Sequence, residues 1–347
     1  MKTLNLLKML PFVSIVFLSS CTTMLYTNLD VLRPAKLTFD ASTNDLLLVN
    51  NTVKQPDDYG HKTEFYNERA KNVIQQADSL PIYCLSATYE DIANSEFFND
   101  VKIQTNSVNK SGDFFTIQAL SPDTVKALCK RYNCNVILSL DRLKVNDKIA
   151  ELFNEIDYSY YTALIARYES QWSIHYPGKE KYGSIVFRDT VFWDAESYQR
   201  KKALSALPVR SDALIDGALY VGQNSTKRFI PRWEKSPRYL FSTNNKYMKQ
   251  GLDSFYVKNW KAAIEIWDKA IGKSSNSMKA KLANNIAVAY EISGDITKAN
   301  EYAIKSFEYF QSEPLSNSKH FSTVLNYTNE LNKRIKEIEL LNQQLGN

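Results

Sequence analysis

The sequence predicts an α+β protein: a mixed-sheet α/β domain with a long antiparallel hairpin, followed by an all-α domain of helical repeats. Three observations carry that expectation. From Tyr160 to Tyr176 the even positions read Tyr, Thr, Leu, Ala, Tyr, Ser, Trp, Ile, Tyr, while the odd positions from Arg167 to His175 read Arg, Glu, Gln, Ser, His. Such alternation marks an antiparallel strand with one face towards solvent. Upstream of it, strand-like and helix-like apolar runs alternate. Downstream of Tyr247, small and aromatic residues recur with helical spacing, and Ala263 and Ala299 lie 36 residues apart.

Taken in order, residues 35–39 suit a leading strand, and residues 45–51 (DLLLVNN) form a compact apolar run between polar turn formers, as a central strand requires. A helix is expected over 64–78, with Phe65, Ala70, Val73, Ile74 and Ala77 on or near one face. A second is expected over 89–98, before a strand at 101–104. Ser121-Pro122-Asp123 is a helix start, with a capping hydroxyl and Pro at the first position. Val125, Leu128, Cys129 and Tyr132 face the core along that helix, Asn133 ends it, and 136–145 continues as a strand. Pro177-Gly178 turns the chain into the partner strand 184–193. Residues 196–209, with Arg200-Lys201-Lys202, read as a solvated connection. Ser211 then caps a helix to about Phe229, which Pro231 stops.

At 347 residues the chain is long enough for two or three domains. Its 44% hydrophobic and 23% charged residues exclude a disordered or collagen-like chain. Ten glycines argue against a Gly-rich phosphate cradle, and three histidines (His61, His175, His320) are too scattered for a local metal cluster. His175, at a strand end on the polar face, is expected at the surface. The net charge is +5, or +3 without Lys2 and Lys8, too weak to imply nucleic acid.

Lys2 and Lys8 precede a largely apolar run at 9–18, which is too short to span a bilayer and suits a signal peptide. It ends in Leu18-Ser19-Ser20-Cys21, which resembles the lipobox of bacterial lipoproteins. The resemblance implies removal of residues 1–20 and acylation of Cys21, whose several chains would make the anchor stable. Thr22-Thr23 follow instead of an Asp, and the family's sorting rules then imply the outer membrane, with the body in the periplasm. Cys84, Cys129 and Cys134 remain. One bridge among them leaves a thiol over, and three inert thiols are equally open.

The run Asn284-Asn285-Ile286-Ala287-Val288-Ala289-Tyr290, followed by Gly294, Ala299, Tyr302 and Ala303, resembles the tetratricopeptide repeat. Gly251, Trp260, Ala262-Ala263, Trp267 and Ala270 take matching places in a first copy. That copy departs from the pattern at Ser254, where Tyr is expected, and at Lys258 or Asn259, where Gly is usual. Val324, Leu331, Ile335, Ile338 and Leu341 give the last segment an amphipathic face suited to capping the array. The α/β region is similar in layout, chiefly over 119–143, to the TolB amino-terminal, curli-secretion lipoprotein and penicillin-binding-protein-activator group. The expected organisation is signal peptide 1–20, tether 21–34, α/β domain 35–209, connecting helix and linker 210–240, two repeats 241–312 and capping helix 313–347.

No phosphate loop, nucleophile elbow, HExxH or calcium loop is present. Glu151, Glu155 and Asp157 read as a connecting segment. Pro231-Arg232-Trp233 and Pro237-Arg238-Tyr239 are expected to wedge between the domains, with a ligand cleft as the alternative. These features point to a non-catalytic envelope adaptor without metal or cofactor. It would bind another cell-envelope protein through the repeat groove at Lys249, Asp253, Asn284, Asn285, Val288 and Glu291, with the lipid on Cys21 holding it at the membrane. The competing expectation is glycan or lipid binding by the α/β domain.

Overall fold

A computed structural model of the protein describes residues 22–40, 43–109, 112–180, 182–312 and 318–346. In chain order its strands are β1 (Thr23–Arg33), β2 (Asp45–Asn50), β3 (His61–Glu64), β4 (Lys71–Asn72), β5 (Asp100–Gln104), β6 (Val136–Asn154), β7 (Ser159–His175), β8 (Gly183–Ser197) and β9 (Arg232–Ser242). Its helices are α1 (Leu80–Asn94), α2 (Pro122–Tyr132), α3 (Arg200–Ser205), α4 (Arg210–Thr226), α5 (Lys246–Tyr256), α6 (Trp260–Ile271), α7 (Asn276–Ile292), α8 (Ile296–Gln311) and α9 (Ser318–Leu345). The architecture is α+β. The chain divides into a sheet unit, Leu32–Arg232 with the chain end from Leu340, and a helical unit, the segment up to Val31 with Trp233–Glu339.

In the sheet unit β6 is the spine. Its first residues pair in parallel with β2, its far half pairs in parallel with β3, and its whole length pairs antiparallel with β7. β5 extends the sheet beyond β2, β4 beyond β3, and β8 beyond β7. Leu46, Leu47, Leu48 and Val49 are fully buried, because helices cover both faces of β2. Leu46 and Leu48 pack with Leu85, Ile92, Leu214 and Val221 of α1 and α4. Leu47 and Val49 pack with Val125, Leu128 and Cys129 of α2 on the other face. Even-numbered residues of β7, among them Ala166, Tyr168, Trp172 and Ile174, join the first of these layers as the alternation requires. Gly222 lets α4 approach α1, since a Cβ there would lie 2.2 Å from the Cys84 carbonyl oxygen.

Several expectations are corrected. Residues 23–33 form β1 instead of a tether, and residues 35–39 form no strand. The partner of β1 is β9, about two hundred residues away, so nothing local marks the pairing. The helix expected over 64–78 is absent: β3 and β4 occupy its start, and Ile74 is 80% exposed. Burial of His61 decides this. Its Nδ1 pairs with the Asp147 carboxylate, Arg210 Nε lies 2.8 Å from the other oxygen, and the segment is drawn into the ladder beside β6. The helix expected at 89–98 starts earlier, at Leu80, with Pro81 in its first turn and Cys84, Leu85 and Ile92 on the buried face. Residues 200–205 of the expected loop are helix α3, and α4 starts at Arg210, with Val209 instead of Ser211 at the cap position and no side-chain capping bond.

Two helical hairpins, α5–α6 and α7–α8, make up most of the helical unit. The two copies match in detail. Asn259 and Asp295 cap α6 and α8 with their side chains, accepting from Ala262 N–H and Lys298 N–H. Thirty-six residues separate these caps in the sequence, and the preceding turns repeat as well. Gly294 has φ +91°, and Lys258, its counterpart, has φ +61°. Trp267 fills the space above Gly251, with its Nε1 3.3 Å from the Met248 carbonyl. Val324, Tyr327 and Leu331 bring α9 into the same core.

Two stability outcomes follow. Gly222→Ala should cost about 2 kcal/mol by forcing α1 from α4, whereas Gly272→Ala, with open space at the Cβ, should be nearly neutral. Lys258→Gly should stabilise the chain by about 1 kcal/mol, because a β-carbon is disfavoured in the left-handed region. Urea unfolding of the three variants checks both.

Candidate functional site

Cys21 lies outside the described residues. Lys249 and Asp253 are on α5 and exposed. The other four expected groove residues are on α7 and buried: Asn284 is 1% exposed, Asn285 and Val288 0%, and Glu291 8%. The expected open groove at these four positions is corrected, because β9 lies along that face of α7. Phe241 N–H donates to Asn285 Oδ1 at 2.8 Å, and Asn285 Nδ2 donates to the Phe241 carbonyl at 2.8 Å. Asn284 Nδ2 donates to the Tyr239 carbonyl at 2.8 Å. Glu291 receives Arg238 Nε at 2.6 Å and Nη2 at 2.7 Å, and Tyr327 OH at 2.9 Å. Burial, with the Glu291 carboxylate beside it, pushes the Tyr327 phenol well above its ordinary value, so it remains a proton donor. Of Pro231-Arg232-Trp233 and Pro237-Arg238-Tyr239, expected as a wedge between domains, residues 232–239 belong to β9, with Arg238 buried against Glu291 of α7 while Trp233 is 70% and Tyr239 44% exposed.

Beside this triad the helical unit opens a cleft of about 870 Å³. Thr22–Met24 of the β1 end form one wall, Ser236–Tyr239 of β9 and Asn284 of α7 the floor, and α9 from Lys319 to Glu330 the other wall. Lys281 Nζ lies 2.9 Å from Thr22 Oγ1 at one end, and burial lowers its pKa. Met24, Pro237 and the ring of Tyr239 supply apolar surface, while Thr323 and Asn326 supply hydrogen-bonding groups. A cleft with this mixture suits an extended polar chain.

The sheet unit holds a second concentration of polar groups, where β2 reaches its carboxyl end and the stretch of β6 paired with it stops. That edge is where open α/β sheets place ligands. A bulge between Leu140 and Arg142 turns Asp141 inward. Its carboxylate accepts from Asn51 Nδ2 at 2.9 Å, from Ser139 Oγ at 2.7 Å and from Ser173 Oγ. Burial raises the Asp141 pKa, and those three hydrogen bonds oppose the rise. His175 Nε2 is 3.0 Å from Ser139 Oγ. The expectation of a surface histidine is corrected: His175 is 3% exposed, and burial lowers its pKa to about 4. Ser139 Oγ donates to Asp141, and the imidazole tautomer sets which way its contact with His175 runs. Ser139 is fully buried. Beside His175 is a hollow of about 420 Å³, with Gln118, Lys179, Glu180 and Tyr182 on its wall. Tyr182 stacks on the imidazole at 5.0 Å.

Glu151, expected in a connecting segment, is on β6 and 3% exposed, and Arg200 Nε donates to both its oxygens at 2.8 and 3.0 Å. Arg200 therefore holds an ion pair while its side chain remains 41% exposed. Asn51, Ser139 and Asp141 were not among the expected site residues. The one available signal was a charged Asp directly after the apolar run VILSL. Among the described residues no group of three or more His, Cys, Asp or Glu could hold a metal ion, and no helix is long and apolar enough to cross a membrane.

Glu291→Gln should cost about 3 kcal/mol in urea unfolding, because the buried Arg238 loses the carboxylate that takes two of its hydrogen bonds and keeps only the Glu330 carboxylate, 3.8 Å away. His175 is neutral in the fold while the unfolded chain takes a proton near pH 6.5. Its contribution to stability is therefore intact above pH 6.5 and is lost as pH falls towards 4. Unfolding midpoints across that window should fall more steeply for the natural chain than for His175→Gln.

Residues 249–333 match DUF6340, a domain of unknown function. No curated protein matches the chain. Among solved structures, a crystal structure of an uncharacterised protein is 7% identical and covers 56% of this chain and 97% of its own, with a TM-score of 0.23. A Helicobacter pylori structure carrying the name of a neuraminyllactose-binding hemagglutinin homolog is 9% identical and covers 55% of this chain and 88% of its own, also with a TM-score of 0.23. The profile of DUF8603, a domain of unknown function, matches residues 43–241, more than half of the 347 residues, and the chain belongs to that family.

Proposed function

We propose that this protein is a non-catalytic scaffold, anchored to the bacterial outer membrane by acylated Cys21 and facing the periplasm, that binds another cell-envelope protein through its helical unit. The anchor rests on the resemblance of Leu18-Ser19-Ser20-Cys21 to a lipobox, preceded by basic and apolar signal-like segments. The binding surface rests on the cleft between β1, β9 and α9. It takes the place of the helix groove that β9 covers. The cleft carries the proposal because its wall begins at Thr22, the residue after Cys21, so a ligand seated there is held next to the anchored end of the chain. Its occupant is an extended segment of the partner, whose backbone can use Thr323 and Asn326 and whose apolar side chains can rest on Met24 and Tyr239. The paired helices around it supply the stiffness, in the manner of tetratricopeptide-like arrays.

A second reading draws on the hollow beside His175 in the sheet unit. Tyr182 is 48% exposed there, beside Gln118, Lys179 and Glu180, which is the mixture of ring face and hydrogen-bonding groups that suits a sugar. Titration of the full chain with peptidoglycan fragments tests it, with Tyr182→Ala expected to weaken any binding at least tenfold.

Cys21→Ser should abolish palmitate labelling and move the protein from the membrane to the soluble fraction; retained labelling would overturn the anchor. A photo-crosslinking residue at Asn326, used in intact envelopes, should give a discrete protein adduct. Thr323→Trp, which fills the cleft, should remove that adduct without lowering the melting temperature. An adduct that survives the filled cleft counts against this surface.

A further inference from the structure

The C-terminal end of α2 brings two thiols together. Tyr132 is the last helical residue, and Asn133 follows at φ +47°, the left-handed conformation that reverses the chain. The reversal lets Cys134 N–H donate to the Cys129 carbonyl at 3.1 Å, which closes the helix end. The two side chains then leave the backbone towards each other, and their Sγ atoms are 3.5 Å apart. A disulfide needs about 2.05 Å between sulfurs, a gap that side-chain rotation can close because the backbone hydrogen bond already holds the two residues together.

The surroundings suit a cross-link as well. Cys129 packs into the small apolar cluster of Leu47, Val49, Val125, Leu128 and Ile137, where a disulfide sulfur adds no polar group to be satisfied. Cys134 sits at the rim of that cluster and is only partly buried, so an oxidant can reach the pair. Cys84 is different: it is fully buried on α1, against α4, and belongs to another core cluster. The three thiols left open by the sequence are thus sorted into a facing pair and one enclosed residue.

We infer that Cys129 and Cys134 are a disulfide-forming site, joined in the protein once it meets an oxidising compartment, and that Cys84 stays a free thiol. The bond would staple the last turn of α2 to the start of β6, beside the buried strand β2. With glutathione disulfide as the oxidant the exchange balances. One thiol of the pair loses its proton, and its sulfur attacks glutathione disulfide, forming a mixed disulfide and releasing one glutathione thiolate. The second thiol then loses its proton and attacks the protein sulfur of that mixed disulfide, releasing the second glutathione. The protein loses two electrons and two protons, and one glutathione disulfide becomes two molecules of glutathione. The hydrogen bond from Cys134 lowers the pKa of the Cys129 thiol, and burial opposes it.

The site is tested on the full chain, isolated from envelopes without reductant and with N-ethylmaleimide present throughout. Trypsin cuts after Lys126, Lys130, Arg131 and Arg142, so the peptides 127–130 and 132–142 stay together only through a Cys129–Cys134 bond. The expected digest contains that linked pair, which reduction separates, and carries maleimide on Cys84 once the chain is unfolded. A sample first reduced and then equilibrated with glutathione disulfide should regain the link, and a Cys134→Ser variant should lose it and show Cys129 alkylated. Maleimide on both Cys129 and Cys134 after that equilibration would overturn the inference, as would a link from either residue to Cys84.

Discussion

Three buried amide side chains hold segments of this chain's backbone in place. Gln55 accepts from Val145 N–H at 2.9 Å and donates to the Val145 carbonyl at 2.8 Å. Gln344 does the same for Ala35, at 2.9 Å in both directions, and Asn285 for Phe241, at 2.8 Å in both. In each case one side chain supplies both the donor and the acceptor that one backbone residue needs. A buried peptide group left without them costs about 1–3 kcal/mol, a large fraction of the net stability of a domain. Each segment must therefore stay where its amide can reach it.

In the helical unit this requirement fixes β9 on α7. Asn284 and Asn285 hold the backbone from Tyr239 to Phe241, and Arg238 is carried inward to Glu291. The ion pair, both side chains 3% exposed, is satisfied by two charge-assisted hydrogen bonds and a third from Tyr327 on α9. Burial of such a pair adds little net stability, but an alternative register would strand a charge in the core. Two members of that triad, Arg238 and Tyr327, also line the cleft between β9 and α9, so structure and candidate surface share residues.

In the sheet unit the corresponding device is the bulge at Asp141. It ends the stretch of β6 that is buried on both faces and turns a carboxylate towards the end of β2. Asn51, Ser139 and Ser173 then satisfy that carboxylate, and His175 completes the chain of hydrogen bonds. Further along β6, His61, Asp147 and Arg210 do similar work for β3. Along its nineteen residues the strand passes from a stretch buried throughout, ending at Asp141, to one that alternates.

What the sequence determined by itself is what depends on neighbours a few residues away. The alternation in Tyr160–Tyr176 made β7 legible, Ser121-Pro122 and Asn133 marked both ends of α2, and the 36-residue spacing located α5 to α8. Each of those signals is a local period or a cap, and the backbone obeys it wherever the segment lies. Tertiary structure alone decided the rest. β1 exists because β9 pairs with it, residues 64–78 avoid a helix because His61 is buried against Asp147, and Asn284, Asn285 and Glu291 point at β9 instead of at solvent. A polar side chain on a helix reads the same in sequence whether it meets water or a peptide group from 44 residues away, and only the folded chain chooses between them.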